Sequence, residues 1–254
     1  LLSRCAQLAI RANRQFLFDV PGNLNVSAAI TFVTQLGLDN HYCQAYWAPL
    51  KADDPVNGGK AIIGTAGINA GYRCGRNAQT NSAGLAPKHV PIAGKRWNVA
   101  RTGVMQLSSP GDADLNDLAN AKINPVLFEV YDDGGMFAFT DSLTCAKTAL
   151  YRKLISTAEI SSTLDDMIVR YGKGLSQMPL EQGMEAMSRF LKKLLKAART
   201  AEWLVASIDL GDDGYVFSVT RNAARPADRM DVSYGFHPNG VTRAIFVTPT
   251  LYNN

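Results

Sequence analysis

The chain has 254 residues, 46% hydrophobic and 19% charged, an ordinary globular balance that excludes a disordered or low-complexity protein. Its 26 basic and 22 acidic residues are spread along the whole length, so the net charge of +4 is a small difference between large numbers and gives little ground for a nucleic-acid partner. No run approaches the roughly 18 consecutive apolar residues of a membrane span, and Arg4 and Gln7 interrupt "LLSRCAQLAI", so neither a spanning helix nor a signal h-region is expected.

Leu2, Cys5, Leu8, Ala9 and Ala12 recur at helical spacing. The chain starts inside that pattern with Leu1 instead of Met, which reads as a fragment of a longer protein. "QFLFDV" then switches to a short apolar strand closed by Pro21-Gly22. Asn25 or Ser27 can cap a helix whose Ala28, Phe32 and Leu36 stripe ends at Gly37, and "YCQAYWAP" reads as a second buried strand. Strand, helix, strand with short connections predicts a parallel pair joined by a right-handed crossover.

From about residue 50 to 117 glycines, prolines and polar residues break up pieces such as "KAIIGTAGINAGY", which suggests a long surface excursion. "KRWNVARTGVMQL" is expected to hold one strand, and "GDADLNDLANAKI" a short helix with acids in its first turn. "PVLFEVY" and "MFAFT" are strands on either side of Asp132-Asp133-Gly134-Gly135. Asp133-Gly134 is a strong hairpin signal of the type I′ class, in which both central residues take positive φ.

Helical periods run through "CAKTALYRKLISTAEISSTLDDMIVRYG" and, after Pro179, "LEQGMEAMSRFLKKLLKAARTAEWL". "LVASIDLG", "GYVFSVT", "RMDVSYGFH" and "TRAIFVTPT" return to strands, the final pair spaced like an antiparallel set. The sum is an α/β chain of mixed α+β type: mixed β-sheets flanked by helices, in two lobes, 1–146 and 147–254.

Chemistry has little foothold. "GTAGINAGYRCG" contains no GxGxxG, and Gly94-Lys95 is followed by Arg96, with His89 where a phosphate loop needs its first glycine. His41 and Cys43 share a strand face but lack a second ligand pair, since Cys74, Cys145, His89 and His237 stand apart; the four cysteines form no CxxC and suit a reducing compartment. There is no GxSxG or HExxH. Asp132-Asp133 has only Glu129 for company and reads as a corner, not a site. "RFLKKLLKAAR", 189–199, is amphipathic, with Lys192, Lys193, Lys196 and Arg199 opposite an apolar stripe: a core-packed helix with a solvated basic face, open to an acidic partner.

The order of these pieces resembles the contractile tail sheath proteins of myovirus-type bacteriophages. "FLFDVP", a helix and "HYCQAYWAPLKADDP" are similar to that family's strand, helix and A-x-Y-x-P-W strand, with Tyr46-Trp47-Ala48-Pro49 in a different order. Leu115-Asn116, Ile123-Asn124, Gly134-Gly135 and Thr140 to Leu143 match its best landmark, without the usual Trp-Gly-Ala-Arg. Ala83-Gly84-Leu85-Ala86-Pro87 stands for its APAG loop, and "MDVSYGFHPNGVTRAIFVTPT" resembles its closing strand. The divergence suggests an unusual sheath, such as that of a giant phage.

The resemblance implies a structural, non-enzymatic subunit without cofactor or metal, made in the host bacterial cytoplasm and ending in the virion tail. It implies helical assembly with copies of itself around a tail tube protein, contact with baseplate and tail terminator proteins, and contraction during genome ejection, with no nucleic-acid or membrane partner. Contacts between subunits are expected at Lys192, Lys196 and Arg199 on the basic helix and at Arg243, Phe246 and Thr248 in the terminal strand. Another class of reading, a Rossmann-like enzyme, would use Asp19 at the carboxyl end of the first strand. A binding module of adhesin type would need an exposed aromatic patch.

Overall fold

The computed structural model describes residues 1–148 and 151–243. The chain opens as its spacing predicts: α1 (Leu2–Arg11), β1 (Phe16–Val20), α2 (Val26–Leu36) and β2 (Cys43–Trp47). Asn25 Oδ1 accepts from the Ala28 amide at 2.9 Å, and Gly37 closes α2 at φ 62°, where a side chain would be strained. β1 and β2 pair in parallel from Phe16↔Cys43 to Val20↔Trp47.

α4 (Asp112–Asn120) returns the chain to β6 (Ile123–Tyr131), parallel to β2, and β7 (Gly134–Phe139) folds back antiparallel, giving the order β1-β2-β6-β7. β2 lies inside this sheet and all five of its residues are buried. Cys43, Ala45 and Trp47 face a core shared with Ala6, Ala29, Val33 and Leu118 of the helices, whereas Tyr46 faces a second core with Val126, Phe139 and Ile155. A strand covered on both faces reads as continuously apolar, which is why "YCQAYWAP" shows no alternation.

The region between β2 and α4 is more ordered than its glycine content suggests. β3 (Leu50–Asp53), β4 (Lys60–Ile62) and β5 (Met105–Gln106) form a small antiparallel sheet in the order β4-β3-β5. The glycine-rich stretch forms α3 (Ala66–Ala78). Thr65 stands at its N-cap without a side-chain cap bond; Asp19 Oδ1 accepts instead from the amides of Thr65 (2.7 Å) and Ala66 (2.9 Å). Gly64 permits this approach, since a Cβ there would stand 2.6 Å from Asp19 Oδ2. The strand expected in "KRWNVARTGVMQL" is reduced to Met105–Gln106, with a 3₁₀ turn at Lys95–Trp97.

Three further expectations are corrected. The hairpin turns one residue earlier, because Tyr131 pairs with Gly134: Asp132-Asp133 is the loop, neither has positive φ, and only Gly134 does, at 131°. The helix expected from Cys145 starts only at Ile155, as α5 (Ile155–Gly174). Its would-be first turn is drawn to the sheet, where the Cys145 amide donates to Cys43 O at 2.8 Å and Thr144 to Lys153 O at 2.8 Å. "LVASIDLG" is a loop with isolated Leu204–Pro238 and Ser207–Gly211 bridges, and β8 (Tyr215–Arg221) pairs antiparallel with β9 (Met230–Phe236). Most of "TRAIFVTPT" lies outside the described residues.

α6 (Leu180–Thr200) packs Met187, Leu191, Leu194, Leu195 and Ala198 against Ile160, Leu164 and Ile168 of α5, and the apolar face of the β8–β9 hairpin closes over them. Tyr171 and Phe190 stack across the two helices, ring centres 4.0 Å apart.

Candidate interaction surfaces

Polar residues at core spacing on α3 create the most charged interior of the molecule. Ala66, Asn69, Arg73 and Arg76 recur at helical intervals and are all buried. Arg73 Nε donates to Asn69 Oδ1 (2.8 Å), and its Nη2 to Tyr46 Oη (2.7 Å) and to Gln44 Oε1. Arg76 donates to Val90 O (2.8 Å) and, with Arg73, meets the Glu159 carboxylate of α5 at 2.6 and 3.5 Å. Two guanidiniums on one buried carboxylate fasten α3, β2 and α5 together across the lobe boundary drawn from the sequence. Arginine pairs this way because its fork spends each donor on a separate acceptor. Sequence reasoning missed this cluster; its signal was the Asn69-Arg73-Arg76 spacing.

A groove of about 610 Å³ runs beside it, lined by Arg14, Lys88, Asp165 and Asp166 among others. Its groups are spent on structure: Lys88 Nζ donates to Thr163 Oγ1 at 2.6 Å, Tyr234 Oη donates to Asp165 at 2.6 Å, and Arg170 pairs with Asp166 at 2.8 Å. Burial pushes the Lys88 ammonium below its ordinary range, and burial and then the Asp165 hydrogen bond push the Tyr234 phenol upward.

The chemical candidates resolve into packing roles. Asp19 is a helix cap. Lys95 Nζ spans Asp132 (2.5 Å) and Asp133 (3.0 Å) at the exposed hairpin corner. Burial pushes the Cys43 thiol up to about 11 and Cys145 to about 12, away from the thiolate form a nucleophile or metal ligand needs. No group of three or more metal-ligating side chains occurs among the described residues, and none of the helices described is long and apolar enough to cross a membrane.

The expected contact residues fall into three groups. Lys192 and Lys196, with Lys193, stand exposed on α6. Arg199 and Arg243 are tied to groups of their own chain: Arg199 donates to Leu204 O (3.0 Å) and Asp212 O (3.3 Å), and Arg243, though exposed, clasps Asp141 with two bonds of 2.9 and 2.5 Å. Phe246 and Thr248 lie outside the described residues.

The β8–β9 hairpin adds a surface of another kind. Tyr215, Phe217 and Val219 pair with Phe236, Tyr234 and Val232 on the covered face, and Ser218 and Ser233 meet at 2.9 Å on the open one. Among the described residues the sheet has two strands, so each carries an edge of backbone donors and acceptors that another strand can complete.

No protein-family model matches the sequence, and no curated protein matches it. Solved structures do. A chain in a cryo-EM structure of the anti-feeding prophage baseplate in the contracted state superposes with TM-score 0.68 at 13% identity, over 97% of this chain and 63% of that one. A chain of the sheath complex of an extracellular contractile injection system, PVC, in the contracted state gives 0.65 at 17% identity, over 92% and 63%. The six-fold symmetrised anti-feeding prophage baseplate gives 0.64 at 14% identity, over 93% and 60%. The chain therefore has the fold of these contractile-system proteins and spans less than two thirds of their length.

Proposed function

We propose that the chain is a structural subunit of a contractile sheath, assembling helically with copies of itself around an inner tube and abutting baseplate and terminator components in a phage-type tail particle. The carrying observation is that the fold agreement takes in 92–97% of the chain instead of a single shared motif. The charged interior supports the reading. Its groups lock α3, β2 and α5 into one body, and a subunit that slides and tilts between two lattices works by moving as a rigid body between discrete arrangements.

The exposed Lys192, Lys193 and Lys196 face is assigned to an acidic surface of the tube, and the β8–β9 edges to a strand from a neighbouring copy, for which the segment containing Phe246 and Thr248 is the candidate. No observation favours the enzyme reading, because the Asp19 carboxylate is occupied by two backbone amides. Electron micrographs of the natural full-length protein test the proposal. Helical tubes that shorten on contraction are expected; a protein that remains monomeric at every concentration, with or without tube protein, would overturn it.

A further inference from the structure

We infer that His89 is an acid-sensitive latch: its neutral ring holds residues 79–94, the strap between α3 and the 3₁₀ turn, against the end of α6, and its protonation lets the strap lift. The device is a property of the folded chain and stands apart from the sheath reading.

The strap begins where α3 ends and crosses the two long helices. Leu85 enters the α5–α6 core with Trp203, the indole Nε1 of Trp203 donates to Ala86 O at 2.7 Å, and Lys88 reaches Thr163 Oγ1 on α5 at 2.6 Å. Arg76 of α3 donates to Val90 O at 2.8 Å. Between these anchors His89 turns to the residues just past α6, where its Nε2 stands 3.4 Å from Glu202 Oε2. The His89 side chain is 18% exposed, whereas that of Glu202 is 73% exposed.

The two ring nitrogens have different surroundings. Nε2 faces a carboxylate, which assigns it the proton of the neutral ring. Nδ1 is buried and meets no hydrogen-bond partner among the described residues. A second proton must go to Nδ1, and it creates a buried N–H without an acceptor on a ring that now carries charge. The return is an ion pair with Glu202, whose carboxylate is mostly in water, where such a pair is worth little. The loss outweighs the gain.

The charged groups facing the ring are Glu202 at the end of α6 and Arg76 of α3; its neighbour Lys88 is turned to α5. Burial is the largest influence and lowers the His89 pKa; Glu202 pulls it up, Arg76 pushes it down and the Ala201 carbonyl raises it, leaving it below the ordinary 6.5. The stability that the neutral ring contributes is therefore complete above the ordinary value and is lost as the pH falls through the lower folded one. Release is local, because Glu159 still joins Arg73 and Arg76 on α3 to α5.

The test follows hydrogen exchange of the Trp203 indole N–H in the full chain at about pH 7.5 and about pH 4.5, corrected for the intrinsic pH dependence of exchange. Protection is expected to fall at least about 5-fold at the lower pH, the lower end for a buried donor left without an acceptor, while the amides of β2 keep theirs. His89→Gln, which does not titrate, is expected to remove this pH dependence although His41 is still present. Protection that holds or rises on acidification, or that falls equally in His89→Gln, would overturn the latch. A parallel loss of protection in β2 would overturn it too, since the whole chain would then be opening. Should His89→Gln not fold, a ring-nitrogen NMR titration of the natural chain decides: a neutral ring protonated at Nε2 with a midpoint below 6.5 sustains the latch, and a proton on Nδ1 or a midpoint at or above 6.5 overturns it.

Discussion

β2 and β8 are both short strands that carry two aromatic residues each, yet they occupy opposite environments. All five residues of β2 are buried between two cores and both its edges are paired. β8 alternates, covers the α5–α6 core with one face and keeps one edge unpaired among the described residues. The difference separates scaffold from working surface. A strand sealed on every side can only hold the subunit together, whereas one sealed on a single face still has backbone and side-chain groups to give to a neighbour.

The largest effect is expected where the sealed region is charged. Glu159→Ala strands Arg73 and Arg76 in the interior and should cost about 3–5 kcal/mol of stability in denaturant titration, since a buried charge without its partner is the expensive case. A loss under about 1 kcal/mol would mean that water reaches the cluster and that α3 and α5 are not one body.

Leu191→Ala, in the fully buried stripe of α6, should cost about 3 kcal/mol by loss of contacts and creation of a cavity. That places the α6 side of the comparison below the charged cluster but well above the surface.

Gly134→Val should cost about 1–3 kcal/mol, because a β-branched residue resists the φ of 131° that the hairpin corner demands. Asp133→Ala beside it removes an exposed ion pair and should leave the melting temperature nearly unchanged.

Asp19→Ala should cost about 1 kcal/mol, the value of a helix cap, and Asp19→Ser in the same thermal melt tests whether a shorter acceptor can still reach the Thr65 amide. An activity lost on this substitution, with the fold intact, would reverse the assignment of Asp19.

The smallest stability effect belongs to the open surface. Lys192→Glu with Lys196→Glu should change stability by less than about 0.5 kcal/mol. Co-sedimentation of the assembled sheath with its tube should nevertheless weaken, and more so at low salt, where exposed charges act over a longer range. Equal losses of stability and of co-sedimentation would mean that these lysines support the fold instead of a contact.

Sequence alone determined the elements whose signals are local. A cap at Asn25 or Ser27 and the Gly37 stop bracketed α2, the apolar stripe of "RFLKKLLKAAR" placed its basic face outward, and "VLFEVY" and "MFAFT" around an Asp-Gly corner defined a hairpin to within one residue. It also carried, in the order of its landmarks, the resemblance that the superpositions support at the level of fold. Tertiary structure alone decided what depends on partners far along the chain. α3 forms from a glycine-rich stretch because Asp19, 46 residues away, caps it and because Glu159, 83 residues beyond Arg76, neutralises its arginines. Cys145 leaves a helical pattern because its amide donates to the Cys43 carbonyl at the start of β2. Arg199 and Arg243 spend their donors on the backbone carbonyls of Leu204 and Asp212 and on the Asp141 carboxylate. Local periodicity records what a residue prefers among its near neighbours, but a hydrogen bond or ion pair across the fold outweighs that preference by more than the fraction of a kcal/mol that propensity supplies.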